Sequence, residues 1–187
     1  HHRRETTARD RTERDQRELG VALLFHDVLG AEAALVVNNN AAATTLMLTA
    51  LCEGREVVIS RGELVEIGGG FRVPDIMRRA GCRMVEVGAT NRTRLSDFTA
   101  AMGPATALVL RVHPSNFRIE GFTEQPALTA VVAAAHEAGV AVVEDLGSGN
   151  LDPGSPWEPT VQASLAAGVD LVAVLLVARE GVKGGET

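Results

Sequence analysis

Short apolar runs alternate with segments of helical pattern along most of this chain, and that alternation limits the fold more than any other feature. Strand, helix, strand at this spacing predicts right-handed crossovers and a mostly parallel sheet. The predicted strands are residues 56–60, 83–88, 106–112, 140–145 and 169–178. The sequence therefore predicts an α/β fold of three layers, with helices on both faces of the sheet.

Glycine closes most of the predicted helices, because glycine readily adopts the left-handed conformation that ends a helix. Ser96 is a plausible cap for the helix that begins at residue 95. Residues 31–37 read as either a helix end or a strand. The predicted helices are residues 19–30, 41–52, 73–81, 95–103, 125–139 and 160–168.

Composition limits the size of the domain and the kinds of partner. A chain of 187 residues is long enough for one well-buried domain, and 45% hydrophobic with 3% aromatic residues is typical of an aliphatic α/β core. The net charge of −6 argues against binding of nucleic acid over the whole surface of the protein. No apolar run approaches the roughly 18 residues of a membrane span. Two cysteines, Cys52 and Cys82, are too few for a zinc cluster and predict reduced cytosolic thiols and no metal site.

The segment "EDLGSGN", residues 144–150, ends a predicted buried strand with two carboxylates and a glycine-rich turn. Ligands of parallel sheets bind outside the carboxyl ends of the strands. A carboxylate beside a pyridine nitrogen keeps that nitrogen protonated, so we predict that Asp145 faces a pyridoxal phosphate (PLP) ring. Gly147 and Gly149 would leave room for a flat ring, and Glu144 would point to the opposite face of the sheet. The alternative is a structural carboxylate that caps the next turn.

Polar residues follow other predicted strands as well. Asn38–Asn40 precede a helix whose N-terminus would suit a phosphate, although asparagine is also a good helix cap. Asn116, in "HPSNFRIEGF", could donate to an oxygen of a bound ring, or could belong to an ordinary turn. Arg61, Glu63 and Arg118 could frame an anionic substrate, and the alternative is that they lie in solvated loops.

Long stretches of the chain closely resemble the bacterial selenocysteine synthase family, the L-seryl-tRNA(Sec) selenium transferases. The resemblance spans about residues 30–173 and includes "GAEAALVVNNNAAA", "EVVISRGELVEIGGGFRVPDIMRRAGCRMVEVGATNRT", "FRIEGFT", "VVEDLGSG" and "EPTVQASLAAGVDLV". It implies a PLP-dependent enzyme of the aspartate-aminotransferase fold (fold type I) that converts seryl-tRNA(Sec) to selenocysteinyl-tRNA(Sec) with selenophosphate. It also implies a cytoplasmic protein, without a membrane segment, whose full-length relatives form homo-oligomers.

The resemblance assigns roles to particular residues. It places Asn39, Asn40 and Ala41 at the cofactor phosphate and Asn116 near the phenolic oxygen of the ring. It places Asp145 at the ring nitrogen, with Gly147 and Ser148 beside it. The residues alone had already suggested the asparagine junction, Asn116 and Asp145.

One part of the family pattern is missing near the end of the chain. In the family, the strand matching "VDLVAV" runs into a Ser-Gly-Asp-Lys turn, and that lysine holds PLP as a Schiff base. The expected position falls near Ala178, and the only lysine is Lys183, which becomes the candidate by elimination. A shifted reading frame or a truncation after Val174 is the other explanation.

Three segments are therefore predicted. Residues 1–20 are disordered or match the family poorly, residues 21–178 form a partial PLP-dependent large domain, and residues 179–187 are a divergent tail. Two further interpretations of the function stay open. One is a truncated, catalytically inactive fragment of the synthase, and the other is a related PLP-dependent lyase that acts on phosphorylated amino sugars.

Overall fold

A computed structural model describes residues 25–67, 70–149 and 159–175. Its main sheet has five strands in the order β4-β1-β5-β6-β7, and every neighbouring pair is parallel. A separate antiparallel pair, β2 and β3, forms a small hairpin. The strands are β1 (Glu56–Ser60), β2 (Glu66–Ile67), β3 (Phe71–Arg72), β4 (Arg83–Val87), β5 (Thr106–Val112), β6 (Ala141–Ser148) and β7 (Leu171–Leu175).

Helices cover both faces of the main sheet, which confirms the three-layer α/β prediction. On one face the core contains residues of α1 and α2 packed against Ile59 and Leu110, and on the other it contains residues of α3 and α4 packed against Val58 and Val109. Residues 25–29 form a further helical turn. The helices are α1 (Asn40–Cys52), α2 (Val73–Arg79), α3 (Leu95–Ala101), α4 (Leu128–Glu137) and α5 (Val161–Ala166).

The central strands carry mainly apolar residues because both of their faces are buried, and the exceptions include Arg111 of β5 and Glu144 and Asp145 of β6. Val57, Val58 and Ile59 are all fully buried although successive side chains of a strand point to opposite faces. Burial on two faces explains why an unbroken apolar run, rather than an alternating one, marked each strand. Among the described residues, no helix is both long enough and apolar enough to cross a membrane.

Three sequence predictions about helices need correction. Residues 31–37 form neither helix nor strand. Ser96 does not cap α3; Arg94 occupies the cap position, and its backbone N–H donates to Asp97 Oδ2 over 2.7 Å. The helix predicted from residue 125 begins only at Leu128, because Pro126 disfavours the helical conformation of the residue before it.

Two other differences lie close to the candidate site. Strand β6 continues to Ser148, through the segment predicted as a turn after Asp145. The pairing of β6 with β7 shifts its register between Asp145 and Ser148, and Gly147 in that interval has a φ of 65°. Gly147 therefore permits an irregularity within the strand. Asp145 lies just before that irregularity, where β6 is still regularly paired with β7.

Candidate functional site

Asp145 lies near the carboxyl end of β6 and is only 1% exposed. Its Oδ1 accepts hydrogen bonds from Asn40 Nδ2 at 2.6 Å and from the Gly147 backbone N–H at 2.9 Å. Its Oδ2 accepts from Thr44 Oγ1 at 2.9 Å. A carboxylate offers about four acceptor positions, so three described donors leave room for one more.

The N-terminus of α1 lies beside this carboxylate, since Asn40 is the first residue of the helix. Asn39 caps the helix, with its Oδ1 accepting from the Ala42 backbone N–H at 2.8 Å. The backbone N–H groups of Asn40 and Ala41 have no partner within the helix, and the first turn contains no acidic residue. This end of α1 therefore presents donors and partial positive charge next to Asp145, an arrangement that suits an anion.

Gly147 brings the loop after β5 against the end of β6. A Cβ on Gly147 would lie 2.9 Å from Ser115 Oγ, and the φ of 65° already disfavours any other residue. The His113 backbone N–H donates to the Asp145 carbonyl oxygen at 2.9 Å. These contacts confirm that segments far apart in the sequence meet at one edge of the sheet, as the strand-end argument predicted.

A cavity of about 650 Å³ opens beside the loop after β5. Asn116 and Arg118 line it together with Gly62 and Asn91. The Asn116 side chain donates to the Glu66 carbonyl oxygen at 3.2 Å, which ties this loop to the β2–β3 hairpin. The cavity lies at the carboxyl ends of the strands, where a parallel sheet binds its ligands.

The predicted substrate residues occupy different surroundings. Arg118 lines the cavity, whereas Arg61 donates to Glu86 Oε2 at 3.1 Å and to the Gly88 carbonyl at 2.7 Å. Glu63 is only 3% exposed and pairs with Arg111, and burial raises the pKa of its carboxyl group. The structure therefore does not bring these three side chains together.

The remaining predicted residues lie in separate places. Ala41 is half-buried in the first turn of α1, and Ser148 is exposed at the end of β6. Lys183 lies outside the described residues. Glu144 is buried and, next to Asp145 in the strand, points to the opposite face, as predicted. Within the described ranges, no group of three or more His, Cys, Asp or Glu side chains could hold a metal ion.

Thr44 was missed by the sequence argument. Its hydroxyl is buried and donates to Asp145 Oδ2, and it also lies within 3.0 Å of the Asn40 carbonyl oxygen. The available signal was its spacing, because residues four apart share one face of a helix, and Asn40 was already a candidate. In the segment "AAATTLML" two threonines are adjacent, and only Thr44 has this four-residue spacing from Asn40.

We expect Thr44→Val to lower the free energy of unfolding by about 1.5–3 kcal/mol, because it removes a buried hydrogen bond to a carboxylate without changing side-chain volume. Thr45→Val is the matched control, since among the described residues the Thr45 hydroxyl is bonded only to the Ala41 carbonyl of its own helix. Urea unfolding followed by circular dichroism measures both variants. Equal losses in the two variants would contradict a special role for Thr44.

Comparison with known proteins identifies the family. A family model described as SelA, L-seryl-tRNA selenium transferase, matches residues 7–175. The match begins well before residue 30 and therefore extends further toward the N-terminus than the motifs that carry the resemblance. The L-seryl-tRNA(Sec) selenium transferase of Actinobacillus pleuropneumoniae serotype 5b (strain L20) is 51% identical over 167 residues, covering 87% of this chain and 36% of that protein. The enzyme of the same name from Desulfomicrobium baculatum is 53% identical over 167 residues, with the same coverage. The chain thus spans about a third of the length of these relatives.

Solved structures show the same fold at lower identity. A D-glucosaminate-6-phosphate ammonia-lyase superposes with a TM-score of 0.70 at 21% identity, covering 84% of this chain and 43% of its own. The Sphingomonas wittichii serine palmitoyltransferase has a TM-score of 0.57 at 15% identity, covering 84% and 38%. A Thermus thermophilus aspartate aminotransferase has a TM-score of 0.52 at 21% identity, covering 68% and 34%. These structures share the fold of the chain, which confirms the predicted fold class, fold type I, and together with the family match they support pyridoxal 5'-phosphate as the cofactor.

Proposed function

Because the chain belongs to the L-seryl-tRNA selenium transferase family, we propose that it is the cofactor-binding part of a selenocysteine synthase. The proposed reaction is the PLP-dependent conversion of L-seryl-tRNA(Sec) to L-selenocysteinyl-tRNA(Sec), with selenophosphate as the selenium donor. The proposed partners are therefore this tRNA and selenophosphate, in a cytoplasmic homo-oligomer. The observation that carries the proposal is the buried Asp145 carboxylate beside the N-terminus of α1.

The residues at this site fit PLP. Asp145 keeps one acceptor position for a pyridine N–H, and Asn40 Oδ1 is buried without a hydrogen-bond partner among the described residues. An unpaired buried acceptor costs about 1–3 kcal/mol, so this atom marks a place where a ligand donor would be stabilising. The α1 N-terminus supplies backbone donors for a phosphate, and Gly147 has no side chain to obstruct the ring.

Each residue has a separate task in the proposed site. When bound, PLP supplies an electron sink for chemistry at the serine α-carbon. Asp145 would hold the proton on the ring nitrogen. Asn40 and Thr44 fix the orientation of the two carboxylate oxygens of Asp145 through their hydrogen bonds. Asn39, Asn40 and Ala41 bind the phosphate through the first turn of α1. Ser148, just beyond Gly147, is proposed as a further cofactor contact.

The cavity beside the loop after β5 is proposed to admit the seryl end of the substrate. Arg118 and Asn116 line it, so an anionic or carbonyl group could be bound there. Asn116 is proposed to reach the phenolic oxygen of the ring. Arg61 and Glu63 remain proposed substrate residues, although Arg61 is bonded to Glu86 and Glu63 is buried against Arg111.

A second proposal, a chain that binds PLP without catalysis, is favoured by the position of the lysine. Lys183 is the only lysine, and it lies beyond residues 7–175, where the family model matches. A catalyst of this class needs a lysine amine within reach of the cofactor. The two proposals therefore differ in whether Lys183 meets PLP.

Borohydride trapping distinguishes them. The purified chain is mixed with PLP, reduced with sodium borohydride and digested, and the labelled peptide is identified by mass spectrometry. The synthase proposal predicts label on Lys183 and loss of that label in Lys183→Arg. PLP binding measured by equilibrium dialysis without label on Lys183 would support the non-catalytic proposal, and no binding at all would contradict both.

A further inference from the structure

A buried charge cluster lies on the face of the sheet opposite to Asp145. Arg111 of β5 and Glu144 of β6 are Cα partners on neighbouring strands, and both are at least nine-tenths buried. Glu63, at the end of the short 3-10 turn after β1, meets the same arginine, with Arg111 Nε 2.8 Å from Glu63 Oε1. We call Glu63, Arg111 and Glu144 the Arg111 cluster.

Each member of the Arg111 cluster lies within two residues of Asp145 or of a residue that lines the cavity. Glu144 is followed by Asp145, and the register pairs Val112 with Asp145 just as it pairs Arg111 with Glu144. Arg111 stands two residues before His113, where the cavity-lining loop begins, and Glu63 follows Gly62, which lines the same cavity. The cluster therefore connects the ends of β1, β5 and β6 from beneath the site.

The charges in the Arg111 cluster do not balance. The cluster holds two carboxyl groups and one guanidinium, and one atom of each side chain, namely Glu63 Oε2, Arg111 Nη1 and Glu144 Oε2, is buried without a partner among the described residues. Burial raises the pKa of Glu63, and Glu144 raises it further, while Arg111 acts in the opposite direction. Arg111 is the only cation within this group, so it alone offsets the repulsion between the buried carboxylates.

The surroundings give Arg111 little freedom to move. Its guanidinium carbon lies 5.7 Å from the centre of the Phe98 ring, and Phe98 is fully buried in α3. The guanidinium thus lies over an aromatic ring and is bonded to the carboxylate of Glu63, while Glu144 is the Cα partner of Arg111 on the next strand. A planar cation with several donors fits such a place better than a lysine ammonium does.

We propose that Arg111 is a positioning residue of the cofactor site, which holds the ends of β1, β5 and β6 in register from the face opposite Asp145. The effect of Arg111 on PLP binding rests on the proposed function. The effect of Arg111 on the placement of the Asp145 and His113 segments does not depend on any cofactor. Without Arg111, two buried carboxylates would repel each other directly beneath those segments, so the strand ends would separate.

Amide hydrogen exchange of Arg111→Met tests, without any cofactor, whether Arg111 holds the strand ends in place. The informative amides are His113, bonded to the Asp145 carbonyl, and Gly147, bonded to Asp145 Oδ1. The reference amide is Val140, bonded to the Ala135 carbonyl at the opposite end of β6. We expect exchange at His113 and Gly147 to accelerate by at least about tenfold relative to Val140. The variant would open the strand ends locally, and local opening exposes these two amides without global unfolding of the chain. A uniform change at all three amides would overturn the proposal.

Two further variants make the test specific. Arg78→Met removes an exposed arginine paired with Asp75 on α2, and it should leave all three amides unchanged. The triple variant Glu63→Gln, Arg111→Met, Glu144→Gln removes the unbalanced charge and is expected to restore the exchange ratio toward its wild-type value. If Arg111→Met does not fold, Arg111→Gln replaces it, because glutamine removes the charge but can still donate a hydrogen bond to Glu63, and the same direction is expected. An unchanged ratio in Arg111→Gln would then overturn the proposal.

PLP affinity separates this inference from the proposed function. We expect equilibrium dialysis to show at least about tenfold weaker PLP binding by Arg111→Met, corresponding to about 1.4 kcal/mol. A wild-type chain that binds no PLP would contradict the proposed function, while the exchange ratio would still decide whether Arg111 positions the strand ends. A variant with faster exchange and unchanged PLP affinity would overturn the role of Arg111 in the cofactor site.

Discussion

Replacing Asp145 with alanine is expected to weaken PLP binding by about 10–100-fold, since a hydrogen bond to a charged group contributes about 1.5–3 kcal/mol. The carboxylate is the proposed partner of the ring nitrogen, and a protonated nitrogen in a buried site needs an anion beside it. Asp145 is buried and already oriented by Asn40, Thr44 and Gly147, so its loss is not compensated by water. Equilibrium dialysis against PLP measures the change.

Two companion variants make the Asp145 result interpretable. Asp145→Ala leaves the Asn40 amide and the Gly147 backbone N–H without this acceptor, and leaves the Thr44 hydroxyl only the Asn40 carbonyl, so it also lowers stability. Asp145→Asn retains the side-chain shape and one acceptor oxygen but removes the charge, and we expect its PLP affinity to be intermediate. Asp75→Ala removes an exposed aspartate of α2 and should leave PLP binding unchanged. Wild-type affinity in both Asp145 variants would mean that this carboxylate only stabilises the irregular end of β6.

The fold was largely predictable because its central strands are buried on both faces. Such strands appear as unbroken runs of Val, Ile and Leu, and the runs 56–60 and 106–112 coincide with β1 and β5. The hairpin of β2 and β3 escaped prediction because each strand has only two residues. Residues 31–37 are apolar enough to suggest a regular element, yet Leu35 and Val36 are exposed.

The site was predictable where a residue acts through its position at a strand end, and not where it acts through packing. Asp145 and the asparagines before α1 follow from the topology of a parallel sheet. Glu63 reads as a solvated residue because it lies in a charged loop directly after a strand, and its partner Arg111 lies 48 residues away. Thr44 has the same difficulty, since its contact with Asp145 spans 101 residues. Contacts at such separations are set by tertiary packing, which local patterns do not encode.

Phe98→Ala is expected to destabilise the chain by about 3–5 kcal/mol, a large part of the roughly 5–15 kcal/mol that stabilises a typical domain. Phe98 is fully buried, and it is the largest side chain of the core between the sheet and α3 and α4. Its removal would leave a cavity beside the Arg111 guanidinium, so water could reach the Arg111 cluster. The free energy of unfolding is measured by urea titration with circular dichroism.

Phe122→Ala is the matched control for Phe98→Ala, because Phe122 is a phenylalanine that is 75% exposed. Its ring contacts the Arg92 guanidinium, a cation–π interaction of about 0.5–1 kcal/mol at an exposed site, so a loss of that size is expected. Both variants remove a phenylalanine side chain, so the difference between their losses of unfolding free energy measures the contribution of burial. If both lost the same small amount of stability, α3 would not be packed on the sheet as described, and the guanidinium beneath the cofactor site would lack the apolar surface that restrains it. A large loss in Phe98→Ala alone would show that α3 is packed on the face of the sheet that also carries Arg111.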